Sequence, residues 1–218
     1  NKGRIMTLPT SGLITVNDRG ARAATTFGSV AAVGGNMVFI KKLTASSSGT
    51  LSFVDGASSV VLDSTYKEYL FTFKDIHPAT DEADFTFNLS ADSGSNYNVT
   101  KTSTFFRAFH LEDDSSQNLF YTNGGDLAQG TGVQNLTHSG IGNGNDECFA
   151  GTLRLFNPSS TTFVKHYMSS CNAYQGSNAI YDTYAAGYGN TTSAVDAIQF
   201  SMSSGNIDAG DICLYGIL

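Results

Sequence analysis

From Met37 to the C-terminus the chain is a succession of short runs rich in Phe, Tyr, Val and Ile, each cut off by Ser, Gly, Asn or Asp. Interruptions come about every ten residues, the spacing of an antiparallel sandwich or barrel in which each run is one strand and each cluster a turn. Two runs carry the period of a strand with one buried face. Tyr69, Phe71 and Phe73 alternate with Leu70, Thr72 and Lys74, and Phe85, Phe87 and Leu89 alternate with Thr86 and Asn88. Further strand candidates are 37–43, 50–53, 105–111, 152–156, 162–168, 180–184 and 197–202. About ten strands suit two packed sheets. Apolar residues nowhere keep helical spacing over about ten residues, so helix is limited to a turn near His77–Ala83, at Pro78.

The clearest local signal is C-terminal. Ile198, Phe200 and Met202 share a face, Ser203–Asn206 supply a turn, and residues 212–218 return with apolar side chains on both faces. This reads as a closing hairpin, Ala197–Leu218. Its returning strand is expected to be central, because a run apolar on both faces is disfavoured where one face meets water. Gly216 within it marks a close backbone approach or a bulge. The expected fold is therefore an all-β, antiparallel, jelly-roll-like β-sandwich over residues 37–218, preceded by an extended arm, 1–36. The arm is rich in Gly, Ala and Thr, and its strongly apolar run is Leu13-Ile14-Thr15-Val16. So little apolar area does not offset the entropy of ordering the segment alone, so Leu8, Leu13, Ile14 and Val16 are expected to dock on a partner.

Composition narrows the partners. Apolar residues make up 40% of the 218 and aromatics 11%, enough for a substantial core. Charged residues are only 14%, against roughly 25% in an average domain, which leaves a hydroxyl-rich, weakly charged surface. A net charge of −7 argues against a phosphate-binding surface, which needs clustered Lys and Arg. No stretch reaches the roughly 20 apolar residues of a membrane span. Neither nucleic acid nor membrane is an expected partner. Cys148, Cys171 and Cys213 form no CxxC pair and read as buried free thiols, with a Cys148–Cys171 bridge as the alternative.

Motifs for catalysis do not emerge. A nucleophile elbow, Gly-x-Ser-x-Gly, does not occur, and His77, His110, His138 and His166 are too scattered for a paired-ligand motif. No catalytic residue, cofactor or metal is assigned. Loops 112–147 and 169–196 are longer than ordinary connections, so a ligand would sit there. Candidates are Asp113 and Asp114, Asn143, Asn145 and Asp146, and Tyr181 and Tyr184. The Asn143–Asp146 run alternates oxygen ligands as a calcium loop does, yet lacks the leading Asp and distal Glu, and reads as a turn. The tyrosines would have to serve as a sugar platform in a chain without Trp.

Three segments resemble structural proteins of tailed bacteriophages, especially those of marine and cyanobacterial hosts. Met6-Thr-Leu-Pro-Thr-Ser-Gly-Leu-Ile-Thr-Val-Asn-Asp18 is similar to the opening of tail-associated proteins, although Arg19-Gly20-Ala21 departs from it. Leu62-Asp-Ser-Thr-Tyr-Lys-Glu-Tyr69, continued by Phe73-Lys-Asp-Ile-His-Pro-Ala-Thr-Asp81, resembles a second block, and Ser204–Ile217 a third. The resemblance implies a non-enzymatic virion protein assembled in the host cytoplasm, a capsid decoration (cement) protein or a tail or fibre component. Its partners would be major capsid or tail proteins, met through the arm. Self-association is expected, and a trimer would suit both a fibre and a three-fold lattice site. The alternative is a carbohydrate- or receptor-binding module that meets a host-surface glycan through the two long loops.

Overall fold

The computed structural model describes residues 36–218; Leu8, Leu13, Ile14 and Val16 of the expected arm lie outside the described residues. The described chain is all-β. Its strands are β1 (Met37–Thr44), β2 (Leu51–Val54), β3 (Glu68–Pro78), β4 (Phe85–Ser90), β5 (Lys101–Leu111), β6 (Gln117–Tyr121), β7 (Gln134–Asn135), β8 (Phe149–Phe156), β9 (Lys165–Gln175), β10 (Ala179–Gly189), β11 (Ala197–Met202) and β12 (Ile207–Ile217). They form two antiparallel sheets, one of eight strands in the order β1-β12-β3-β8-β9-β10-β5-β6 and one of four, β2-β11-β4-β7.

Alternation of side chains builds the core. Tyr69, Phe71 and Phe73 of β3 point toward the small sheet and are buried, as are Phe85, Phe87 and Leu89 of β4 facing them. Phe200 on β11 lies at the centre, with ring centroids 5.5 Å from Phe71, 5.3 Å from Phe73 and 5.8 Å from Phe85. Phe53 and Phe87 complete the ring of aromatics around it. Burial of these faces against each other is what makes the two sheets a sandwich.

The run 197–218 is not a hairpin. β11 pairs with β2 and β4 in the small sheet, whereas β12 pairs with β1 and β3 in the large one, so residues 203–206 carry the chain from one sheet to the other. Two apolar runs bury more when they face each other across the core than when they lie side by side. β12 is central, as its doubly apolar pattern requires. Gly216 of β12 lies beneath Tyr66, whose ring would be 2.3 Å from any Cβ at that position.

Segment 169–196 is also mostly strand. β9 and β10 form a hairpin of two eleven-residue strands, and β9 buries Tyr167, Ser169, Cys171 and Ala173 inward. Small and polar inward residues masked the alternation. Among the described residues no helix forms near His77–Ala83, because β3 runs on to Pro78 and then turns. Cys148, Cys171 and Cys213 are all free thiols, and of these only Cys171 is buried.

The large sheet is wider than the small one. Residues 122–137, with little regular structure of their own, lie over the inner face of β5 and β10 where facing strands run out. The Ser103 N–H donates to the Leu127 carbonyl and Ser103 Oγ accepts from the Leu127 N–H, while Thr183 Oγ1 donates to the Leu136 carbonyl at 2.7 Å. Gln134 is fully buried there, donating to Gly125 O and accepting from the Tyr167 hydroxyl. These bonds supply the partners that a buried irregular segment needs.

Candidate functional site

One end of the sandwich gathers the β5–β6 turn, the β9–β10 turn and the segments around 79–84 and 138–147. Arg107 is the residue that organises it. It falls at an inward-facing position of β5, in the apolar run Phe105-Phe106-Arg107-Ala108-Phe109, where alternation calls for an apolar side chain. Its guanidinium carbon lies 4.7 Å from the Phe120 ring centroid and 4.9 Å from that of Tyr181. These distances are within cation–π range, and such contacts strengthen as water is excluded. Nη1 donates to the His138 carbonyl and to Ser139 Oγ, while Nε is buried with no hydrogen-bond partner among the described residues.

Asp84 fixes the facing segment. Its carboxylate accepts from the Gly140 N–H at 2.8 Å, Thr137 Oγ1 at 3.2 Å and Asn135 Nδ2 at 3.3 Å, and lies 3.8 Å from His138 Nδ1. Glu82 accepts from Gln175 Nε2 at 2.9 Å. Ser139 holds φ at +92° and Glu82 at +56°, unusual for residues with a Cβ and sustained here by these bonds. Between them opens a cup of about 420 Å³, lined by Glu82, Asp84, His138, Ser139, Gln175 and Tyr181.

The serine and the histidine of the cup are each engaged by other groups. Ser139 Oγ is taken up by Arg107, and His138 Nε2 points at Gly124, where an added Cβ would stand 2.8 Å away. His138 and Ser139 therefore do not form a base and nucleophile. The carboxylate of Asp84 spends its oxygens on the protein itself. What the cup offers a ligand is amide, hydroxyl and carboxylate groups beside one aromatic edge.

The sequence candidates scatter around this end. Asp113 sits exposed in the β5–β6 turn, where Ser115 donates to it from both Oγ and N–H and holds its carboxyl below the usual range. Asp114 adopts φ of +59° and lies 3.0 Å from His110 Nε2. Asn143 donates its N–H to Asp81 at 3.3 Å, and Asn145 and Asp146 line a separate shallow hollow with Asp75, His77 and Cys148. Tyr181 and Tyr184 are three residues apart on β10, so they project from opposite faces: Tyr181 inward beside Arg107, Tyr184 outward against Phe106. They cannot form one platform. Among the described residues no group of three or more His, Cys, Asp or Glu could hold a metal ion. Arg107, Asp84, Glu82 and Gln175 are not among the sequence candidates; a charged residue at an inward position of an apolar strand is the signal that would have found Arg107. Set against family models, curated proteins and solved structures, the chain matches none of them.

Proposed function

We propose that this chain is a non-enzymatic structural protein of a tailed-phage virion, an exposed accessory component of capsid or tail that binds the particle through residues 1–36. The observation that supports it most is that two of the resembling blocks, far apart in sequence, are neighbours in space. β3 pairs with β12 from Glu68–Ile217 to Lys74–Asp211, the Tyr66 ring covers Gly216, and Gly205, with φ of +69°, lies against Thr80. The Ala79 N–H donates to Asn206 O at 3.0 Å. Blocks that form one packing unit are expected to recur together in a scaffold, which suits a structural role.

The strand pairing also favours the jelly-roll reading. β12 joins β1 and β3, β11 joins β2 and β4, and β10 joins β5, a nested pattern like one long hairpin rolled into two sheets. Deleting residues 1–36 should abolish co-sedimentation with particles of the phage that encodes the chain while leaving the melting transition in place. Retained binding would overturn the arm mechanism, and absence of the chain from purified virions by mass spectrometry would overturn the virion role.

The receptor- or glycan-binding alternative draws support from the cup beside Tyr181. Glycan-array binding by the full chain, lost in Tyr181→Ala, would favour it; a blank array would remove it.

A further inference from the structure

Eleven large apolar side chains are exposed among the described residues, and eight of them project from one surface, the outer face of the eight-stranded sheet. Six of the eight lie on its free half: Met168 on β9, Ile180 and Tyr184 on β10, Phe106 on β5, and Leu119 and Tyr121 on β6. We infer that a second copy of this chain docks on the outer face of β9, β10, β5 and β6, so that the protein is a homo-oligomer.

Charge selects the occupant. Five outward positions on each of β9, β10 and β5 and three on β6 carry a single formal charge, Asp182, in a chain whose net charge is −7. Asp182 is itself engaged, accepting from the Tyr184 hydroxyl at 2.9 Å. Two acidic copies repel over most of their surface, and this face is where they can approach without that penalty. A partner that recognised the chain by charge would find little here beyond Asp182 and, at the borders, Asp126 beside Tyr121 and Asp114 beside His110.

Size and order agree. Eleven-residue strands at about 3.3 Å per residue, spaced about 4.8 Å apart, give this half-face a projected area on the order of 600 Å² before side-chain relief. A standard interface takes roughly 800 Å² from each partner. Its aromatics are already positioned: Phe106 and Tyr184 stack at 5.0 Å and 13°, and the Tyr121 hydroxyl donates to Asp126 at 2.5 Å. For these three aromatics little side-chain entropy remains to be lost on docking. At the border, β6 ends the sheet with Gln117-Asn-Leu-Phe-Tyr121, which has no Lys, Pro or charge to block an approaching neighbour.

This inference stands on the face alone and is independent of the virion role. Sedimentation velocity of the full chain at about 100 µM should give a mass two or more times 23.1 kDa, since an interface of this size is normally saturated there. The double variant Phe106→Lys/Leu119→Lys should fall to the mass of one chain and still unfold in one cooperative transition, its melting temperature lowered by the lost association and the lost Phe106–Tyr184 stack. Phe163→Lys, an exposed apolar position in the β8–β9 connection, should keep the wild-type mass. A wild-type chain that sediments as a monomer, or a folded double variant that keeps the oligomer, would overturn the proposal.

Discussion

Phe200→Ala is expected to lower the unfolding free energy by about 4 kcal/mol, the range found when a fully buried aromatic is emptied from a packed core. Phe200 is 0% exposed and lies within aromatic contact distance of Phe53, Phe71, Phe73, Phe85 and Phe87, which come from three strands, β2, β3 and β4, of both sheets. Truncation leaves a cavity bounded by rigid rings on strands fixed by pairing, so collapse around it is limited. The neighbours also lose aromatic contacts, edge-to-face at Phe53 and Phe73 and stacked at Phe85, worth about 1 kcal/mol each. Natural domains hold only about 5–15 kcal/mol, so the variant should unfold at markedly lower denaturant with the slope of the transition preserved. A loss under about 1 kcal/mol would mean that the sandwich centre is not packed as described.

The second large effect is a dependence on alkaline pH. Lys101 is fully buried on β5, and its amine donates to Asn88 Oδ1 at 2.5 Å and Val99 O at 2.8 Å, neutral acceptors both. Burial without a carboxylate pushes its pKa down from 10.5 to about 8. Between those values the unfolded chain binds the proton that the folded chain has released, so stability rises with pH across the window. Lys101 alone contributes a rise of about 3 kcal/mol, complete near pH 10.5 and absent below about pH 8. Buried acids oppose it from higher pH: burial pushes the Cys171 thiol up from 9.0 to about 12, and Tyr69 and Tyr167 above their usual 10.0. Their unfolded forms ionise first, so each lowers stability as pH passes its ordinary value. The wild-type chain should therefore be most stable near pH 9. Lys101→Met isolates the amine, since Cys171, Tyr69, Tyr167 and Lys165 titrate in both proteins. The stability of the variant relative to wild type should fall by about 3 kcal/mol between pH 7 and 10.5, read from urea melts. A difference that stays flat over that range would show that the amine keeps its charge in the fold.

Strands with large apolar residues on alternate positions were legible in the sequence because burial of one face leaves a period of two. β3 is of this kind; β4 keeps the alternation of residue types but is not half-buried, since Thr86, Asn88 and Ser90 on its other face are covered too. β9 and β10 were harder to see, since their inward positions carry Ser169, Cys171, Ala173 and Thr183, which lie under an irregular segment or beside close neighbours where bulk does not fit. β6 and β7 are short, and their sequences resemble the turns around them. The pairing of β11 with β2 and β4 is a contact between residues some 110 to 150 positions apart, and local pattern carries no information on which sheet a strand joins. At the cup the same limit applies. Asp84, Arg107, His138 and Gln175 come from four distant segments, so nothing short of the fold brings them together.

The place of the last two strands has a consequence for how the molecule is made. β11 is inserted between β2 and β4, and β12 between β1 and β3, so neither sheet can close until residues 197–217 are free to pair. At ribosomal rates of roughly 5–20 residues per second, the first four strands wait many seconds with their inner aromatics uncovered. Pairings of such long range are also slow to form once the whole chain is available. The nascent protein thus passes through a period in which its edges are open and its phenylalanines exposed, and its yield in a cell will be governed by what shields it during that interval.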